Sequence, residues 1–146
     1  MNDLKPLVLE ILDNSYLMSL STCADNKPWT CDLVFVYSNN FEIFWLSKSI
    51  TRHSTNILNN PNVSATITLS CNQGEDNKGL QIEGKSFLVK GLLPEMAIKH
   101  LNKRKKHLDD FKNILKIRDE RWYKLVQDNI ELIYEPLFGF ERRKFK

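Results

Sequence analysis

The chain has 146 residues, with 21 lysines and arginines against 18 aspartates and glutamates, for a formal net charge of +3. That length favours one domain able to bury a core without staples, and the charge is too mild to argue by itself for a nucleic-acid partner. Cys23, Cys31 and Cys71 form no CxxC pair, the start lacks the basic and apolar run of a signal peptide, and no apolar run is long enough to cross a bilayer, so the chain reads as a cytoplasmic protein with reduced thiols.

Leu4, Leu7, Val8, Ile11 and Leu12 recur at helical spacing and predict an amphipathic helix over 3–13, with Pro6 in the first turn where its missing N–H does little harm. A strand is expected over 16–23, a turn at 24–28, a second strand over 29–37, a turn at 38–40 and a third strand over 41–46. The second and third strands are apolar on both faces: Leu33, Phe35 and Tyr37 against Val34 and Val36, then Phe41, Ile43 and Trp45 against Phe44 and Leu46. A strand with one solvated face carries polar residues on alternate positions, so these strands need cover on both sides. A barrel interior supplies one cover; the other calls for a helix, a ligand or a second subunit.

The segment Ser47-Lys-Ser-Ile-Thr-Arg-His53 leads into a short helix pattern that ends at Asn59-Asn-Pro61. Hydroxyl side chains suit a helix start, and the unpaired N–H groups of a first turn attract anions. With Lys48, Arg52 and His53 beside them, they predict a phosphate cradle, although an ordinary capped helix with a solvated basic face has the same composition. A cleanly alternating strand follows at 63–69, then a polar loop at 70–79 and a strand at 80–90. In that last strand Leu80 and Ile82 are out of phase with Phe87 and Val89, so an extra residue near Gly84, a β-bulge, is expected to restore one inward face.

Residues 91–116 are helical in pattern, with Ala97, Leu101, Leu108, Phe111 and Leu115 as an apolar stripe beside the cluster Lys99, Lys103, Arg104, Lys105 and Lys106. His107-Leu-Asp-Asp110 is a candidate break between two helices. Two final strands are expected near 121–127 and 130–134, joined at Asp128-Asn129, before a tail of aromatics and cations. The order predicts a single domain over 1–146 of the α+β class, mainly β with flanking helices, forming a small antiparallel barrel.

Several of these pieces, in their order and spacing, resemble the pyridoxamine 5′-phosphate oxidase-like, FMN-binding split-barrel family. They are Leu20-Ser-Thr-Cys-Ala-Asp-Asn-Lys-Pro-Trp29, Leu33-Val-Phe-Val-Tyr37, Phe44-Trp-Leu-Ser47, Thr51-Arg-His53, Asn56-Ile57, Asn60-Pro-Asn-Val-Ser64 and Gly79-Leu-Gln-Ile-Glu-Gly84. The resemblance covers nearly the whole chain and is nearest to a small bacterial branch. It implies a homodimeric split barrel with FMN at the subunit interface. By the same resemblance, the backbone of Leu33, Val34, Phe35 and Val36 lies along the flavin ring, and Ser47, Thr51, Arg52 and His53 surround the phosphate. Gln81 of the other subunit reaches the flavin or phosphate, or is a polar strand residue facing outward.

His53 departs from the family, which usually pairs arginine with lysine there; an imidazole is only partly charged near neutrality, so the resemblance implies weaker or more pH-dependent phosphate binding. The substrate pocket of the vitamin enzyme has no residue-by-residue match, so pyridoxamine phosphate oxidation is not expected. No side chain stands out as a general acid, base or nucleophile. The implied activity is an FMN-dependent oxidoreductase that takes electrons from a reduced nicotinamide and passes them to a small molecule. The alternative is a non-enzymatic dimer that binds flavin or haem, with His53, His100 and His107 as candidate iron ligands. Nucleic-acid binding by the basic cluster is the weakest reading.

Overall fold

The computed structural model describes residues 3–107, 109 and 119–146. Helix α1 (Lys5–Asn14) carries Pro6 in its first turn and buries Val8, Ile11 and Leu12. Strands β1 (Leu17–Ala24) and β2 (Lys27–Val34) form a hairpin closed by Asp25 and Asn26, at φ of 51° and 58°. Two consecutive left-handed residues make the tight turn that matches strand twist, and Asp and Asn tolerate that conformation. The predicted second strand is interrupted at Phe35, leaving β3 as Val36–Tyr37. Then come β4 (Ile43–Lys48), α2 (Arg52–Asn59), β5 (Asn62–Thr68), β6 (Lys78–Val89) and α3 (Pro94–Arg104). The chain closes with β7 (Glu120–Tyr134), a short α4 (Glu135–Phe138) and β8 (Arg142–Lys144).

The strands make one antiparallel sheet in the order β2-β1-β5-β6-β7-β4-β3, with β8 beside β7. Strands β2 and β3 stand at opposite ends of that path, yet only Phe35 separates them in the chain. The sheet must therefore curl until its two ends meet at Phe35, which is fully buried. This is a split barrel. Its interior alternates as a sheet requires: Val63, Ala65 and Ile67 of β5 are buried, whereas Asn62, Ser64, Thr66 and Thr68 are exposed. Trp45 and Tyr123 stack inside at 6.0 Å between ring centroids.

The two-faced apolar strands find their second cover in α3. Met96, Ala97 and Leu101 pack on Val36, Phe44 and Trp122, forming an outer apolar layer on β3, β4 and β7. Of the stripe expected over 91–116, Leu108, Phe111 and Leu115 lie outside the described residues, as does Asp110 of the candidate break.

Two expectations are corrected. The final two strands are a single strand, β7, and the extra residue of the bulge is on β7 and not on β6. Glu83 pairs with Asn129 and Gly84 with Gln127, so Asp128 is the residue left without a partner. The inward positions of β7 change phase there, from Tyr123, Leu125 and Gln127 to Ile130, Leu132 and Tyr134. Strand β6 keeps one phase, with Leu80, Ile82, Gly84 and Ser86 buried. Phe87 consequently points outward and stays 44 % exposed, contrary to the inward position its neighbours in sequence suggest. All three cysteines are free thiols, and burial pushes that of Cys31 up to about 11.

His100 illustrates what the outer layer costs in acid. It is buried on α3, edge-on to Trp122 at 5.8 Å between centroids. Burial, reinforced by Arg104 and Lys103, pushes its pKa down to about 4. Below about pH 6.5 the unfolded chain takes up a proton that the folded chain refuses, so acid favours unfolding. Stability from this residue is fully present above that pH and is lost as pH falls towards the folded value. A loss of about 2 kcal/mol is expected between pH 7 and pH 4.5. Urea titrations at both pH values check this: His100→Leu should reduce the difference by about 2 kcal/mol, with buried His53 contributing to the remainder, and an unchanged difference would acquit His100.

Candidate functional site

Strand β4 ends at Lys48, and the chain turns through Ser49 and Ile50 into α2. This joins the last inward position of β4, Ser47, to the first turn of a helix. Ser47 is 6 % exposed and its Oγ lies 2.7 Å from His53 Nε2. Thr51, the N-cap, has extended backbone but no side-chain capping bond. Its hydroxyl instead donates to the Lys48 carbonyl at 3.0 Å and lies 3.1 Å from His53 Nε2 and 2.8 Å from Ser54 Oγ. Asn56 extends the buried polar row by donating from Nδ2 to Thr22 Oγ1 at 3.0 Å.

These contacts divide the expected site residues. Ser47, Thr51 and His53 come together in one network. His53 turns inward, and burial lowers its pKa, favouring the neutral imidazole. It therefore holds the Ser47 hydroxyl in place and adds no second surface cation. Arg52 turns outward. Its guanidinium carbon lies 4.3 Å from the Trp29 ring centroid, a cation–π contact that keeps the side chain near the first turn of α2. Among the described residues no carboxylate forms an ion pair with Arg52. The helix start thus offers N–H donors that Thr51 leaves uncapped, next to a positioned guanidinium. That donor set fits a phosphate group.

Leu33, Val34, Phe35 and Val36 form the link between β2 and β3 where the barrel ends meet; Phe35 and Val36 are buried and the other two half-buried. Gln81 is half-buried in β6, in register between Thr66 of β5 and Glu131 of β7, on the face opposite Leu80 and Ile82. The sequence reading gave no site role to Trp29, Thr22, Ser54 or Asn56. Asn56 shares a helix face with His53 and was findable from spacing; Trp29 meets Arg52 only because β2 and α2 pack together.

No helix among the described residues is long and apolar enough to cross a membrane. No family model and no curated protein matches the chain. Solved structures do. ChuZ of Campylobacter jejuni superposes with a TM-score of 0.79 at 14 % identity, over 99 % of this chain and 59 % of its own. HutZ, the haem storage protein of Vibrio cholerae, has a TM-score of 0.71 at 19 % identity, over 86 % of this chain and 90 % of its own. A candidate pyridoxamine 5′-phosphate oxidase of Listeria innocua has a TM-score of 0.71 at 16 % identity, over 89 % of this chain and 98 % of its own. At these identities the similarity speaks to architecture, and the chain has the pyridoxamine 5′-phosphate oxidase-like split-barrel fold.

Proposed function

We propose that the chain binds FMN as a homodimer and acts as a flavin-dependent oxidoreductase on a small molecule. The observation that supports this reading is the start of α2, where uncapped N–H groups and the outward Arg52 lie together at the end of a barrel strand. Arg52 binds phosphate oxygens as a fork, and Trp29 limits how far its guanidinium swings. Thr51 and Ser47 hold the turn, and neutral His53 fixes the Ser47 hydroxyl. The backbone of Leu33 to Val36 offers peptide groups to the flavin ring, and Gln81 of a second copy reaches towards it. Bound flavin supplies the redox chemistry, and the protein supplies position and access.

Arg52→Ala should weaken FMN binding by about 10- to 100-fold, the worth of one charge-assisted contact, with the fold intact by circular dichroism. Fluorescence quenching of titrated FMN measures it. An unchanged affinity would sink the phosphate assignment.

The name of HutZ favours a second reading, a haem-binding dimer of the same fold. His53 and His100 are both buried in internal contacts here, whereas His107 is exposed. A haem titration that gives no Soret shift removes this reading.

A further inference from the structure

A cavity of about 380 Å³ opens between the C-terminal end of α1, β3 and α3, bordered by Val36 of the segment that the cofactor reading lays along the flavin ring, but its polar side chains have no part in that reading. Its chemistry comes from Asp13, Tyr37, Asn102 and two lysines, Lys99 and Lys103. The Tyr37 hydroxyl donates to Asp13 Oδ1. Burial and that carboxylate raise the phenol's pKa, so Tyr37 keeps its proton. Lys99 Nζ donates to the Tyr37 carbonyl at 3.1 Å and pairs with Glu95 at 3.0 Å. One of its three N–H donors is left over, and Asn102 lines the same cavity.

Lys103 is different. Its Nζ lies 3.4 Å from the centroid of the buried Phe35 ring. Burial pushes its pKa down to about 8, against the pull of Asp13 in the other direction. Among the described residues the titratable groups around it are Asp13 on α1, Lys99 and His100 on its own helix and the phenol of Tyr37 on β3, and the Phe35 face, like Asp13, favours the ammonium form. Compared with an ordinary lysine, the uncharged amine is enriched at neutral pH by about two orders of magnitude. A half-buried lysine with a lowered pKa, about a tenth of it free amine at pH 7, at the wall of a polar cavity is the arrangement of an amine nucleophile.

We propose that this cavity is a carbonyl site, in which Lys103 Nζ condenses with a small aldehyde that carries a carboxylate. The nitrogen lone pair attacks the carbonyl carbon to form a carbinolamine. Its oxygen then leaves as water, taking up both amine hydrogens in the net reaction, and a C=N bond replaces the C=O bond with no change in oxidation state. Lys99 and Asn102 hold the carboxylate, and the Phe35 face keeps the amine at the wall.

Glyoxylate is the probe. The protein is incubated with it at pH 7.5 in the presence of cyanoborohydride, and the reduced adduct is mapped by peptide mass spectrometry. The exposed Lys105 and Lys106 serve as internal references. Lys103 should be modified about tenfold faster than either, at a rate that saturates with glyoxylate. A rate no greater than the references overturns the proposal, and so does a rate that rises linearly without saturation, which marks a merely reactive amine. Lys103→Arg should lose the fast adduct with an unchanged melting temperature. Should that variant fail to fold, the wild-type mapping decides alone. No flavin signal enters the readout, so failure here leaves the Arg52 reading untouched, and the converse holds.

Discussion

Gly84→Ala is expected to destabilise the protein by about 3 kcal/mol or more, a large share of the margin that holds an ordinary domain folded. A Cβ built on Gly84 meets the Val126 carbonyl oxygen at 2.1 Å and the Gln127 Cα at 2.9 Å. Both neighbours are backbone, so neither moves by a rotamer change. The crowding arises at the bulge, where β7 carries Asp128 as an extra residue and bows towards β6. Gln127 is pinned on the far side, with Nε2 donating to the Asn40 carbonyl at 2.6 Å. Urea unfolding of Gly84→Ala beside the exposed control Lys85→Ala measures the effect. A loss under about 1 kcal/mol for Gly84→Ala would mean that the strands meet in another register.

Trp122→Ala should cost about 4 kcal/mol and loosen α3. Trp122 is 2 % exposed and lies beneath Met96, Ala97 and Leu101 in the outer layer. Its truncation removes a large buried ring and opens a cavity that neighbours on a rigid sheet fill only in part. It also strips the Leu92 carbonyl of the indole N–H that reaches it at 3.1 Å. The barrel interior, built on Trp45, Tyr123 and Leu125, lies on the opposite face of the same sheet and should survive. Hydrogen exchange distinguishes these layers. Amides of α3 should lose protection well before those of β5 and β6, and the fast modification of Lys103 should fall towards that of Lys105. Uniform protection loss across both layers would show that the outer layer does not unfold separately.

Much of this architecture is local in origin. The hairpin turn at Asp25 and Asn26, the alternation of β5 and the apolar stripes of α1 and α3 each follow from a few adjacent residues. The double apolar character of the strands at 33–46 announced that a second layer was needed. It did not say that α3 supplies it, because a helix, a ligand and a second copy bury the same surface with the same energy per unit area. A bulge does lie at Gly84, but its extra residue is Asp128 on the partner strand, and the apparent slip along β6 is only Phe87 facing outward. A bulge is a property of a pair of strands, and only the pairing shows which member holds the extra residue.

The candidate site divides in the same way. The hydroxyl-rich, cationic helix start at 47–53 was legible because capping and anion binding are first-turn effects. The opposite directions of Arg52 and His53 were not, since consecutive helical residues face about 100° apart and only packing says which of them meets the core. Burial then lowers the pKa of His53, favouring the neutral imidazole that meets Ser47, whereas Arg52 stays at the surface. The sequence by itself determined the order of the main helices and strands up to α3 and the polar helix start, which depend on neighbours along the chain. Only the tertiary structure decided the curl of the sheet through Phe35, the close approach at Gly84 and the environment that lowers the pKa of Lys103. Each of those depends on desolvation or backbone contact between segments far apart in the chain, and no local pattern encodes which distant segment arrives.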